Sequence, residues 1–322
     1  MYTTLLMNDI KNKIVIGTSP ISLIKAIILN LLNEPVSIIE KSSQIGGCWQ
    51  FGADQNFNYD LGCHYLVPFQ NDEKNLQVVK ELSKLGISSE IGVFSALFDR
   101  KIDELSDYSE DQRYIKIKGG YASITNTLNN TIKKMNIPIY HDTVEAVLVD
   151  KNKVELLGKI SNYYAEKLFI PSYFDIKNIK INEIILELEQ SYQDSQHLTF
   201  LVNGSWNKKY YNYYFINESK DNPFDKLSFY RSDNGDLFNI RIGRNNKSKK
   251  DDDLFRLGIN FINKLGYNIT KIYVTKRHIY EFPFRSEKNV RELQKKLYFC
   301  SNGKINMLYT RNFTQALLEL YQ

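Results

Sequence analysis

Three observations predict an α/β fold with a smaller β-rich insertion. The first is IVIGTSPIS at 14–22, an apolar run that enters a tight turn at Gly17 and leaves it as a helix to about Leu32. The second is SIIEK at 37–41, another apolar strand, which ends on Glu40 and is followed by a Gly-Gly loop at 46–47. The third is the stretch from 197 to 242, where HLTFLVNG, YYNYYFINE, LSFYRSD and LFNIRIG are separated by Asn, Asp and Gly turns.

The first two together describe a Rossmann-like βαβ unit. Gly17 opens the turn, and the helix that follows offers N-terminal amides to a pyrophosphate. Glu40 lies 23 residues after Gly17, where a carboxylate at the strand end can accept hydrogen bonds from a ribose. Ser19 and Ser22 stand at the second and third glycine positions of the usual G-x-G-x-x-G pattern. Each adds a Cβ where backbone should approach phosphate or where helix should pack on strand, and each hydroxyl is also a donor to a phosphate oxygen. A Rossmann-like unit that holds no nucleotide is the competing reading.

Along the rest of the chain, 71–86 reads as an amphipathic helix closed by Gly86, and 90–116 as a mixed segment. Helices are expected at 121–136, 181–190, 251–266 and 287–297, and over the final TQALLELYQ. Strands are expected at 139–149, 153–157, 163–170 and 269–282. The domain expectation is a discontinuous cofactor domain over 1–68, 112–190 and 278–322, with a substrate domain over 69–111 and 191–277.

Composition excludes several classes. The chain has 322 residues, enough for two domains, with a net charge of +5 and no long run of like charge that suggests a nucleic-acid arm. Arg241, Arg244, Lys247, Lys249 and Lys250 cluster, but Asp251, Asp252 and Asp253 follow at once, which suggests a polar loop leading into a helix. Three cysteines without CxxC spacing predict neither a disulfide framework nor a zinc site. The segment MYTTLLMNDIKNK lacks the apolar core of a signal peptide, and no apolar run reaches membrane-spanning length, so the cytoplasm is the expected location.

With further segments included, the chain resembles the superfamily of FAD-dependent amine oxidases, protoporphyrinogen oxidases and UDP-galactopyranose mutases. Residues 40–47, EKSSQIGG, resemble its E-x5-GG stretch, and Tyr59-Asp60-Leu61-Gly62-Cys63-His64 resembles its D-x-G-x-H strand. Lys118-Gly119-Gly120-Tyr121 resembles its Gly-Gly helix entry, residues 165–172 its returning strand, and Tyr280-Glu281-Phe282-Pro283 its Tyr-Pro segment.

The resemblance implies FAD, with the pyrophosphate at Gly17, Ser19, Pro20 and Ser22 and the adenosine ribose at Glu40 beside Lys41. It places the isoalloxazine near Gly46, Gly47, Cys48, Trp49 and Gly62–His64, and it puts the backbone of Val144 against the adenine. Cys48 and Trp49 depart from the family, which usually has Arg after the Gly-Gly pair. The C-terminal segment that closes over the flavin is represented only by Thr310-Arg311-Asn312.

His64 is the expected catalytic group, as a hydrogen-bond partner of flavin or substrate or as a proton carrier near neutral pH; Arg311 is the second. Arg231 and Arg285 are candidate holders of an anionic substrate group. Tyr210, Tyr211, Tyr213 and Tyr214 alternate along one strand, so Tyr213 is a candidate pocket wall, although a sheet rich in a good strand former is the favoured explanation of the pattern. His141, His197 and His278 read as structural.

No Ser-His-Asp order, P-loop, paired-carboxylate motif or metal spacing is visible. Two readings follow. One is an FAD-dependent oxidoreductase or redox-neutral mutase-like enzyme acting on a small molecule, with a sugar nucleotide or glycan precursor as the specific expectation. The other is a degenerate member that serves as a binding or scaffold subunit. An oligomer or protein partner is left open.

Overall fold

The computed structural model describes residues 12–47, 49, 51–54, 57–61, 66, 68–99, 110–151, 153–188, 191–207, 213–217, 223–232, 235–284, 287–309 and 312–321. The chain forms two compact units. One comprises 1–48, 125–193 and 282–322, the other 49–124 and 194–281.

The first unit opens with β1 (Lys13–Ile16), α1 (Pro20–Leu31) and β2 (Val36–Glu40). In the second unit β3 (Phe51–Asp54), β4 (Phe57–Asp60), α2 (Asp72–Lys84), β5 (Ser89–Asp99) and β6 (Glu110–Ile117) follow. Helix α3 (Ala122–Lys134) then leads back to β7 (Ile139–His141), β8 (Val144–Val149), β9 (Val154–Gly158), β10 (Asn162–Ala165), β11 (Lys167–Pro171), β12 (Asn178–Ile181) and β13 (Ile184–Glu187). The second unit resumes with β14 (Ser191–Trp206), β15 (Tyr213–Asn217), β16 (Phe224–Ser232), β17 (Gly235–Ile242), α4 (Asp251–Lys264) and β18 (Tyr267–Phe284). The chain closes in the first unit with α5 (Glu287–Cys300), β19 (Ile305–Leu308) and α6 (Phe313–Leu320).

In the first unit a parallel sheet runs in the order β19-β11-β1-β2-β7. Apart from the exposed edge strand β7, its strands are mostly apolar runs, as a sheet covered on both faces requires. A second sheet, β10-β9-β8-β12-β13, shares a core with it. Val147, Leu156 and Ile179 pack with Ile14, Leu168 and Ile305 in that core. Helix α1 is buried along most of its length, stops after Leu31, and passes into Asn33 at φ 58.

The second unit is a seven-stranded sheet, β18-β14-β17-β16-β15-β5-β6. One face packs on α4, with Leu198, Phe200, Phe238 and Ile240 against Leu254, Phe261 and Ile262. The β3-β4 hairpin covers part of the other through Tyr59 and Leu61 against Leu201 and Leu237. The basic cluster before α4 is tied to nearby acids. Arg241 forks onto Asp225, Lys247 bonds Asp194, and Arg277 reaches Asp251 in the first turn of α4.

Three expectations need correction. Residues 181–190 do not start a helix: β12 and β13 pair as a hairpin with Ile181 opposite Ile184. The loop holds two residues, and Asn182 takes φ 52, the left-handed geometry that a tight hairpin needs. The run Ile184-Ile185-Leu186 is apolar in a way that suits either period, and the Asn decides it. The expected strands at 139–149 and 163–170 each split in two, with halves in different sheets of the first unit.

Asp142 sits at the first of those splits. Its N–H donates to Glu40 O (3.0 Å), and its buried carboxylate accepts N–H bonds from Thr143 (2.7 Å), Ile160 (3.1 Å) and Ser161 (3.1 Å). The Tyr163 hydroxyl donates to it at 3.1 Å. Burial by itself raises this carboxyl; the amides and the hydroxyl outweigh it and hold it below the ordinary carboxylate value. Tyr163, half-buried and bonded to the same carboxylate, is pushed up to about 12.

Replacing Asp142 by Ala is expected to destabilise the chain by about 1–3 kcal/mol, because buried amides lose their acceptor. The folded pKa is lowered, so Asp142 contributes its stability above the unfolded value of about 4, and that stability is lost as pH falls through the folded value. The melting-temperature gap between wild type and Asp142→Asn should therefore close as the pH is taken from neutral into strong acid. A constant gap would assign the effect to packing.

Candidate nucleotide site

The site is built where β1, α1 and β2 meet. Gly17 has φ 77, which a side-chain-bearing residue rarely adopts, and its N–H donates to Ile39 O at 2.8 Å. This turns the chain from β1 into α1 directly beside the end of β2, where Glu40 lies buried.

Glu40 is the hub. Its Oε2 accepts both the N–H and the hydroxyl of Thr18, each at 2.7 Å, and its Oε1 accepts the Ser42 N–H at 2.8 Å. The Thr18 Oγ1 in turn accepts the Gly46 N–H at 3.0 Å. One carboxylate thus orders the glycine turn, the loop after β2, and through Thr18 the Gly-Gly pair. Gly46 and Gly47 take φ 118 and 59. A Cβ on Gly47 would lie 3.5 Å from the backbone N and Cα of Ser19, so the loop lies directly on the start of α1. The 41–44 segment is held from outside by Lys41 on Asp175 (3.1 Å) and by His141 Nδ1 at Ser42 O (2.8 Å). Asp175 is held below the ordinary carboxylate value; burial opposes the shift, while Tyr192 and Lys41 produce it. Val144 follows Asp142, whose N–H bonds the Glu40 carbonyl, so it starts β8 close to the same strand end.

The two serines are accommodated without strain. Ser19 is the N-cap of α1 at φ −57 and ψ 152, and its Oγ accepts the Ser22 N–H at 3.3 Å. Ser22 Oγ donates to Ile16 O at 3.1 Å, and the two hydroxyl oxygens are 3.0 Å apart. Ser22 has one hydroxyl proton and Ile16 O can only accept, so Ser19 must donate to Ser22. Pro20 has no N–H, and Leu23 N–H is used by Ser19 O at 2.9 Å. Among the described residues Ile21 N–H has no partner in this first turn. The ribose end and the Gly-Gly loop fit a dinucleotide, and the phosphate end offers it fewer donors than a three-glycine turn does.

Two expected motifs are joined in the second unit. Asp60, buried at the end of β4, accepts the N–H of Tyr121 at 3.0 Å and that of Ala122, so it caps α3. Asp60, the first residue of the D-x-G-x-H motif, therefore ties the end of β4 to the Gly-Gly helix entry. Trp49 meets the edge of the Tyr121 ring at 6.1 Å between centroids.

Residues 15–82 match the family model of an NAD(P)-binding Rossmann-like domain. No curated protein matches the sequence. Among solved structures, a protein described as a protoporphyrinogen oxidase from Exiguobacterium sp. 255-15 is 9% identical with a TM-score of 0.64, over 97% of each chain. The chain shares the fold of this structure. Putrescine oxidase bound to putrescine is likewise 9% identical with a TM-score of 0.64, over 97% of this chain and 96% of that one. A fatty acid isomerase from P. acnes that produces CLA is 10% identical with a TM-score of 0.58, over 98% of each chain.

Of the expected site residues, Gly17, Ser19, Pro20, Ser22, Glu40, Lys41, Gly46, Gly47 and Val144 fall around this one strand end. Cys48, Gly62, His64, Arg285 and Arg311 lie outside the described residues, as does the side chain of Tyr213, whose backbone pairs with Phe229 and Ser95. Arg231 forks onto Asp236 at 3.0 and 3.3 Å, which engages the guanidinium face proposed for a substrate anion. His197 is buried, stacked on Tyr280, with its Nε2 at the hydroxyls of Ser195 (2.7 Å) and Tyr280 (2.9 Å). Sequence reasoning passed over Thr18, Asp60 and Asp142. The available signal for Thr18 was a hydroxyl directly after the turn glycine, with an acid at the next strand end. No helix among the described residues is long and apolar enough to cross a membrane.

Asp60→Ala should cost about 1–2 kcal/mol in urea denaturation, the range for losing a helix cap. Asp60→Asn should recover part of it, because an amide oxygen still accepts. Equal losses for the two would show that the charge, not the cap geometry, carries the effect.

Proposed function

We propose that the protein is an FAD-dependent flavoprotein acting on a small molecule, with the adenosine ribose at Glu40 and the pyrophosphate along Gly17–Ser22. The observation that carries this reading is the Glu40–Thr18–Gly46 network, which orders the three segments a dinucleotide would touch around one buried carboxylate. A buried carboxylate at a strand end, beside a positive-φ glycine turn, suits a ribose held at the start of a helix.

When bound, the flavin would supply the electron-transfer chemistry. The chain's part is to bind and orient. Glu40 receives a ribose hydroxyl, Ile21 N–H meets a phosphate oxygen, and the Gly46–Gly47 backbone permits close approach. His64 is the proposed proton carrier and Arg311 the proposed partner of a substrate anion, both on the family resemblance. The similar structures include an oxidase bound to putrescine and a fatty acid isomerase, which supports both oxidation and redox-neutral rearrangement as candidate chemistries for this chain. A sugar nucleotide is one class to screen, on the Gly62-Cys63-His64 resemblance alone.

The serine corner favours a second reading, a nucleotide-free binding or scaffold subunit, because Ser19 and Ser22 satisfy each other and Pro20 brings no donor.

Absorbance of the purified protein, before and after FAD addition and gel filtration, separates the two. Flavin bands at about one flavin per chain are the expected result. They should be lost in Gly17→Trp, whose bulky side chain at positive φ disrupts the turn. A wild-type protein that stays colourless after FAD addition would establish the second reading.

A further inference from the structure

From the hydrogen bonds at Glu40 we infer that Thr18 is a specificity-determining positioning residue, which leaves the ribose carboxylate a single open acceptor. The ribose is then held through one of its two hydroxyls. This rests on the proposed nucleotide site and goes beyond it, by naming which contact the site makes and what limits it.

A carboxylate has about four lone-pair sites, two on each oxygen. On Glu40 Oε2 both are filled from Thr18, by the N–H and by the hydroxyl, each at 2.7 Å. On Oε1 one is filled by Ser42 N–H at 2.8 Å. One site remains, on Oε1. A ribose diol that met an open carboxylate would donate from both hydroxyls. Here the second hydroxyl finds Oε2 saturated. Displacing Thr18 is disfavoured, because its hydroxyl also accepts Gly46 N–H at 3.0 Å and its side chain is fully buried. Losing Thr18 from Glu40 would release the Gly-Gly loop as well, so the loop and the ribose selectivity are coupled through one hydroxyl.

The test uses the full chain loaded with FAD and follows displacement of the flavin by ADP, 2′-deoxy-ADP and 3′-deoxy-ADP through flavin fluorescence. For wild type, one deoxy analogue is expected to compete like ADP, and the other to be weaker by roughly tenfold, the loss of one charge-assisted hydrogen bond. In Thr18→Val the N–H still reaches Oε2 while the hydroxyl bond is gone, so an acceptor opens and both deoxy analogues should become weaker than ADP. Thr18→Ser keeps the hydroxyl and should restore the wild-type pattern. A purely structural role would shift the melting temperature and leave the pattern alone.

Equal losses for both analogues on wild type, no displacement by ADP, or an unchanged pattern in Thr18→Val would each overturn the inference while the flavoprotein reading stands. The wild-type comparison decides the matter even if Thr18→Val does not fold. A wild-type chain that takes up no FAD would overturn the flavoprotein reading and this inference with it.

Discussion

The first unit depends on one constraint, the burial of the Glu40 carboxylate among donors that belong to different segments. A carboxylate taken out of water is costly unless its oxygens are hydrogen-bonded. Glu40 meets that requirement with two groups of Thr18 and the amide of Ser42. The turn that launches α1 and the loop that leaves β2 therefore cannot relax independently. Placement of Gly46, and of Gly47 over Ser19, follows from Thr18 being held where Glu40 needs it.

The serine substitutions change sense once the proton directions are followed. At a three-glycine turn the amides at the helix start point to open space and need an anion or water. Here the helix is finished from within. Ser22 donates to β1, Ser19 donates to Ser22, and the Ser22 amide returns to Ser19. The third glycine normally permits helix and strand to approach; the serine replaces that approach with a hydroxyl bridge between α1 and Ile16. The same substitutions that stabilise the turn without a ligand thus reduce the donors left for one. Stability without a ligand and donors for one are opposed at this corner, where Ile21 N–H and one lone pair of Glu40 Oε1 have no partner among the described residues.

Much of the βαβ unit was legible because its signals are local. Gly17, the apolar periodicity of α1 and the acid ending β2 fall within a short window, and each is a direct physical requirement of the βαβ turn. The hairpin at 178–187 was not, since Ile184-Ile185-Leu186 suits a helix or a strand and only the left-handed Asn182 decides between them. Thr18 was passed over because a hydroxyl beside a glycine reads as turn composition; its role exists only once Glu40 and Gly46 arrive from elsewhere in the chain. Arg231 has the chemistry to hold an anion, but the hairpin register sets Asp236, five residues on, directly across from it.

Three buried carboxylates share one device. Glu40, Asp60 and Asp142 are each buried at the end of a strand or between two strands, and each accepts amides from segments remote in sequence. Such amides cannot be satisfied by a sheet ladder, because they lie where the chain leaves one element and has not yet joined the next. A carboxylate suits that place better than an amide side chain, since it accepts at both oxygens and carries charge into each bond. Joints of this kind are directional. They hold the backbone of a loop rather than a neighbouring side chain, so loop sequences around them can vary while the crossing is kept. That is a physical route by which a chain only about a tenth identical to its structural counterparts can keep their fold.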